Sequence, residues 1–159
     1  MKLDPQQSAA VTARVLLPKM ARRYFEAGRK AVDQKRPPEE LHAFRLETKR
    51  FRYTLELFRP LYGPNLDRYL RALRELQGAL GKVSDYQAIA RVLSNDAKLM
   101  IEIERAMKIK LKALRRTWRD FDSEGQLKRW RAYLGSEHSR PRAKRAASAT
   151  RKTVVRATA

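Results

Sequence analysis

His42, Arg45, Lys49 and Arg52 recur at spacings of +3, +4 and +3 within the stretch LHAFRLETKRFRYTLELF, the rhythm of one helix face. Stepped at about 100° per residue, the four gather within about 80° of one another, and Arg50 lies beside them. A second row, Arg105, Lys108, Lys112, Arg115 and Arg119, repeats the pattern further along, with Lys98 and Arg116 adjacent. Such rows hold anions. An arginine grips a phosphate with two hydrogen bonds, and a lysine acts as a point charge. A row offers a cation about once per helical turn, roughly 5.4 Å, which suits a linear phosphate polymer better than a single small anion. Like charges at these spacings also cost a helix roughly 0.2–0.5 kcal/mol per pair. Near the first row, Glu56 alone is well placed on the same helix to offset them.

Catalytic chemistry finds little support. Metal-assisted cleavage needs several convergent carboxylates or histidines, and the two rows contain almost none. The chain has no cysteine, which removes thiolate metal sites and thiol nucleophiles. His42 near a helix start reads either as a hydrogen-bonded structural residue or as a donor to phosphate, stronger when protonated. The other histidine, His138, is far along the chain. Asp85 reads as a partner for an arginine or a cap on a turn. A binding module that is not an enzyme, with no cofactor and no metal, is the expectation.

The elements that must position these rows are helices. Many Ala, Leu, Arg, Lys and Glu, with only 6 glycines and 7 prolines among 159 residues, favour helix over strand. Residues 6–17 and 18–34 read as a kinked helix or two pieces, with Pro18 at a first turn. A helix beginning near Pro38 runs to about Arg59 and stops at Pro60. Asn65 is placed to cap a third over 66–80. Gly81 breaks or bends it, and Ser84 caps a continuation to about Leu93. A long helix follows over 96–119, then a short one over 124–134 ending at Gly135. Short connections make sequential helices antiparallel neighbours. The expected fold is all-α: an antiparallel four-helix bundle over residues 1–135 with a short extra C-terminal helix, then a basic tail over 136–159 without a fold of its own.

Within these helices the apolar stripes separate from the basic rows. Phe44, Phe51, Leu55 and Phe58 form one core stripe, and Ile103, Met107, Leu111, Leu114 and Trp118 another. Leu46, Tyr53 and Leu57 make a second apolar strip beside the first row. A solvated face is the ordinary reading of a helix-spaced basic row. Against it stands a net charge of +20, from 37 basic and 17 acidic residues. The tail carries seven basic residues and one acid, so +14 belongs to residues 1–135. That excess points to a polyanionic partner. The longest apolar runs fall far short of the ~18 residues of a membrane span. The first residues lack the apolar core of a signal peptide, so an intracellular, cytoplasmic setting without membrane insertion is expected.

LHAFRLETKRFRYTLELFRPLYG, followed by LRALRELQGALGKVSDYQAIARVL, resembles the CHAD domain, an all-helical family named for its histidine. The resemblance rests on a histidine followed by arginine at +3, basic residues at +7 and +8 and arginine at +10, here His42, Arg45, Lys49, Arg50 and Arg52. It continues in a leucine–glycine break with an aspartate four residues beyond, here Leu80, Gly81 and Asp85. It spans about residues 40–93 and implies binding of inorganic polyphosphate on basic helix faces, with association with polyphosphate granules. Two departures stand out. Family members usually pair two related bundles across a groove, whereas this chain carries one; either two chains form a homodimer that rebuilds the groove, or a half-domain binds more weakly. Ser84 also stands where an arginine often precedes the aspartate.

Two rival functions fit parts of the sequence. Nucleic acid, held partly by the arginine-rich tail, suits the charge, but no helix-turn-helix, zinc-finger or aromatic stacking signature accompanies it. A histidine phosphotransfer domain is also a helical bundle, and His42 with Arg45 loosely mimics its histidine followed by lysine at +3. Leu46, however, occupies the place of the glycine that follows that lysine.

Overall fold

In a computed structural model, which describes residues 9–33, 37 and 40–136, the described residues form six helices and no strand. They are α1 (Ala9–Ala31), α2 (Glu40–Leu57), α3 (Arg59–Tyr62), α4 (Leu66–Val92), α5 (Ala97–Phe121) and α6 (Gln126–Gly135). The fold is all-α, as the composition suggests. α2 packs against both α1 and α4, α5 lies along α4, and α6 lies along α1. The expected tail lies outside the described residues, Ser136 excepted.

Aromatic packing holds the bundle together. Tyr24 and Phe25 of α1 meet Phe44 and Phe51 of α2, Trp118 and Phe121 of α5, and Trp130 of α6. Offset and edge-on ring pairs of this kind add about 0.5–1.5 kcal/mol each beyond their buried area. Phe44, Phe51 and Leu55 are buried as their stripe implies, and Phe58 is half-buried against the core. On α5, Ile103, Leu114 and Trp118 are buried, while Met107 and Leu111 are half-buried at the margin. The interior also takes a polar pair. Thr48 donates its hydroxyl proton to the Phe44 carbonyl at 2.8 Å, so its oxygen accepts from the buried Tyr24 hydroxyl at 3.0 Å.

Several expected breaks do not occur. Pro18 lies inside one continuous α1, because Ala13, Leu17, Ala21, Tyr24 and Phe25 are buried on both sides of it. Gly81 neither breaks nor bends α4 into two helices. Glycine costs a helix interior about 1 kcal/mol, less than is gained by burying Leu73, Leu76, Leu80 and Val83 around it. Ser84 consequently sits mid-helix and caps nothing. α2 ends at Leu57, shortly before Pro60, and Pro60 lies in the first turn of α3, where its missing N–H is harmless. Asn65 stands at the N-cap position of α4 but makes no side-chain cap; the Leu66 and Asp67 amides bond to the Gly63 and Pro64 carbonyls instead. Asp96 does cap α5, accepting from the amides of Lys98 and Leu99 at 3.0 and 3.1 Å.

Gly28 marks the tightest crossing. A Cβ there would overlap the Trp118 ring and lie 2.7 Å from Cζ of Phe44. Helix propensity alone predicts that Gly28→Ala stabilises the protein by about 1 kcal/mol. Overpacking predicts the opposite sign, a loss of about 1–3 kcal/mol, which urea unfolding will register as a lower midpoint.

α3 and α6 are tied by reciprocal tyrosines: Tyr62 donates to the Leu134 carbonyl at 2.6 Å, and Tyr133 donates to the Tyr62 carbonyl at 3.0 Å. Burial pushes each phenol up to about 12, against about 10 in an unfolded chain. The folded state therefore holds these protons more tightly. Their contribution to stability is complete below about pH 10 and is lost as pH rises from about 10 to 12. Alkaline titration should show tyrosinate absorbance growing in step with loss of helical circular dichroism.

Candidate polyanion-binding site

The register of α2 against α4 is set by one arginine. Arg52 donates through Nε to Gln77 Oε1 at 3.0 Å and through Nη1 to Glu56 Oε1 at 2.6 Å, and Glu56 also accepts from Arg74 at 3.3 Å. The Arg52 guanidinium further lies 4.3 Å from the centre of the Tyr53 ring. Residue 52 opposite 77 and residue 56 opposite 74 define an antiparallel pair. Arg52 is only 14% exposed. It belongs to the basic row in sequence, but its Nε joins α2 to α4 and its Nη1 is paired with Glu56 of its own helix.

The rest of the first row is differently placed. His42 and Arg50 are exposed, whereas Arg45 and Lys49 are half-buried. Arg45 Nε is buried and has no hydrogen-bond partner within the protein, and Ser84 Oγ and Gln87 Nε2 on α4 share that condition. A buried donor left unsatisfied costs about 1–3 kcal/mol. Sequence reasoning passed over Gln77 and Gln87 and read Ser84 as a cap. The only signal for them was that 77 and 84 are seven apart, like 45 and 52.

Leu46, Tyr53 and Leu57 point away from the core, at 40%, 52% and 75% exposure. They form an apolar strip on the outer surface of α2, beside His42 and Arg50.

On α5, Arg105, Lys108, Lys112 and Arg119 are exposed and Arg115 is half-buried. Arg115 lines a small slot with Ala31, Val32 and Leu41, which places this one residue of the row beside the first turn of α2. Lys110 points elsewhere. It lies 6.0 Å from the Tyr86 ring centre and borders a groove of about 550 Å³ between α4 and α5. Phe121 and Trp130 line that groove, together with two cations, Arg74 and Lys82, and two carboxylates, Glu75 and Asp120. None of the row residues lines it.

A family model for the CHAD domain matches residues 1–94, more than half of the chain. The chain belongs to the CHAD domain family. The match takes in the whole of α2 and α4, and with them His42, Arg45, Lys49, Arg50, Gly81 and Asp85; the α5 row lies beyond the matched CHAD segment. No curated protein and no solved structure matches the chain. Among the described residues, no helix of this CHAD chain is long and apolar enough to cross a membrane, and no group of three or more His, Asp or Glu is placed to hold a metal.

The two kinds of arginine pair in this CHAD domain should separate in mutants. Glu56→Ala leaves the 14%-exposed Arg52 with Gln77 alone and should cost about 1–3 kcal/mol. Asp67→Ala breaks the exposed pair with Arg59, at 40% and 57% exposure, and should cost less than about 1 kcal/mol. Urea unfolding of the two variants side by side measures both.

Proposed function

We propose that this chain binds inorganic polyphosphate along basic helix faces and performs no catalysis. The observation that carries the reading is the α2 row in a CHAD domain: Arg45, Lys49 and Arg50 present positive charge beside His42, while Glu56 is engaged by Arg52 and Arg74. CHAD domains are known in the context of polyphosphate binding. Arg52 contributes by fixing α2 against α4 and by adding to the local field. The α5 row of Arg105, Lys108, Lys112, Arg115 and Arg119 serves as a second length of the same track, with Arg115 beside Leu41 at the start of α2. An extended row rather than an enclosed pocket suits a polymer with a charge every few ångströms.

Pairing of two copies to complete a two-bundle groove belongs to the same reading. The exposed Leu46–Tyr53–Leu57 strip is the apolar surface beside the row available for it, with polyphosphate offsetting the repulsion of two chains at +20 each. Association with polyphosphate granules in the cytoplasm would follow from the binding itself.

The test is competition on nuclease-treated protein at near-physiological salt, with the full chain and with a version ending after Gly135. Labelled long-chain polyphosphate is displaced by unlabelled polyphosphate, duplex DNA or RNA at matched phosphate concentration. An advantage of about tenfold or more, about 1.4 kcal/mol, is expected for polyphosphate. Equal competition would reduce the rows to generic counterion release and make nucleic acid the leading partner. Arg45→Glu combined with Lys49→Glu should lower polyphosphate affinity about tenfold or more without changing helicity by circular dichroism.

A further inference from the structure

Two layers of the α2–α4 interface are related by one heptad. Positions 45 and 52 on α2 are seven apart, as are 77 and 84 on α4. Seven residues are close to two full turns, with a drift of about 20°. The antiparallel pairing that sets Arg52 against Gln77 therefore brings Arg45 level with Ser84, on nearly the same faces of the two helices.

The layers differ in what surrounds the arginine. Arg52 has Glu56 at i+4 and the Gln77 carbonyl oxygen across the interface, so a full negative charge and a second acceptor satisfy it. Arg45 has Lys49 at i+4 and Ser84 across, with Gln87 one turn beyond. A second cation stands where the carboxylate stood, and a hydroxyl where the amide oxygen stood. Arg45 Nε, Ser84 Oγ and Gln87 Nε2 are all buried without a partner in the protein. The two nitrogens are obligate donors, and the hydroxyl also has a proton to give.

We propose that Arg45, Lys49, Ser84 and Gln87 form an oxyanion seat, in which a phosphate group occupies the place held by the Glu56 carboxylate one heptad away. A tetrahedral phosphate presents several acceptor oxygens, and the arginine fork engages two of them at once. Because the three donors are buried, entry of the anion requires neighbouring side chains to change rotamer. Naming polyphosphate as the ligand rests on the function proposed above. The seat itself requires only a phosphate group, and it fixes one phosphate of the chain at a defined point on an otherwise sequence-of-charges surface.

Inorganic pyrophosphate titrated into the full-length, nuclease-treated protein tests the seat, read from the Arg45 Nε–H signal in a proton–nitrogen correlation spectrum assigned with Arg45→Lys. The signal should shift saturably. Ser84→Ala and Gln87→Leu should each weaken that titration by about tenfold without lowering Tm. Lys49→Glu rebuilds the arginine–glutamate pair of the neighbouring layer. It should abolish the pyrophosphate shift and raise Tm by about 2–4 °C. Arg71→Glu makes the same change of charge at an exposed site elsewhere on α4 and should not raise Tm. An unmoved Arg45 signal, or equal effects of Lys49→Glu and Arg71→Glu, overturns the seat. If polyphosphate still outcompetes nucleic acid while Arg45 stays unmoved, the seat falls and the function stands. If pyrophosphate moves Arg45 while all polymers compete equally, the seat stands and polyphosphate specificity falls.

Discussion

Arg52 is where the fold and the proposed binding surface meet. Its guanidinium joins α2 to α4 through Gln77 and is charge-balanced by Glu56, which in turn holds Arg74. Apolar packing brings the two helices together but discriminates weakly between sliding positions along them, since leucines at 70, 73, 76 and 80 present similar surface at successive turns. A hydrogen-bonded charge does discriminate. A half-buried guanidinium displaced from its carboxylate and amide would lose bonds worth about 1.5–3 kcal/mol each when charged groups take part. The register so chosen decides which α4 side chains face Arg45 and Lys49.

Charge must be accommodated before it can be used. Much of the acid on the described surface is already spoken for: Glu26 lies beside Arg22, Asp122 takes both arms of Arg29 at 2.7 and 2.8 Å, Asp67 takes Arg59, and Glu56 takes two arginines. Asp122 is the most buried of these acids, at 12% exposure, and it links the last turns of α1 and α5. Pairing therefore concentrates where helices meet. Among the described residues the outward cations of α2 and α5 form no salt bridge, though Glu47 lies within electrostatic reach of Arg50, and at physiological salt repulsion between exposed charges fades beyond about 8 Å. The bundle carries the rows because its aromatic core, not its surface, supplies the stability.

How much of this was legible in the sequence depends on whether one helix or two were needed to see it. Phe44, Phe51 and Leu55 were identifiable from α2 alone, as were Leu114 and Trp118 from α5, because a helical wheel needs no neighbour. The family signature was equally local, lying in α2 and the middle of α4. Gly81 and Pro18 do not divide their helices, because their propensities describe an isolated helix, whereas flanking buried residues keep each helix continuous through them. Arg52 was grouped with its row because the wheel shows a side chain's direction and not its partner; Gln77 lies 25 residues away. The Leu46–Tyr53–Leu57 strip was found on the wheel, but its exposure awaited knowledge of what packs on α2.

The heptad comparison shows what register adds to such a wheel. Arg45 and Arg52 are the same residue on nearly the same face, and nothing about either alone distinguishes a ligand contact from a structural clamp. Their neighbours do. Glu56 and Gln77 close the electrostatic circuit of Arg52 within the protein, and a phosphate arriving there would have to displace a carboxylate already bonded at 2.6 Å. Lys49 and Ser84 leave the circuit of Arg45 open, so an anion entering the proposed seat would displace no internal carboxylate and would satisfy donors that folding buries without a partner. An interface built wholly on the Arg52 pattern would be more stable and would bind anions poorly. One built wholly on the Arg45 pattern would gather charge without an internal anion to hold the helices in register. Alternating the two along a single interface lets one arginine hold the register and leaves the next open for the proposed phosphate.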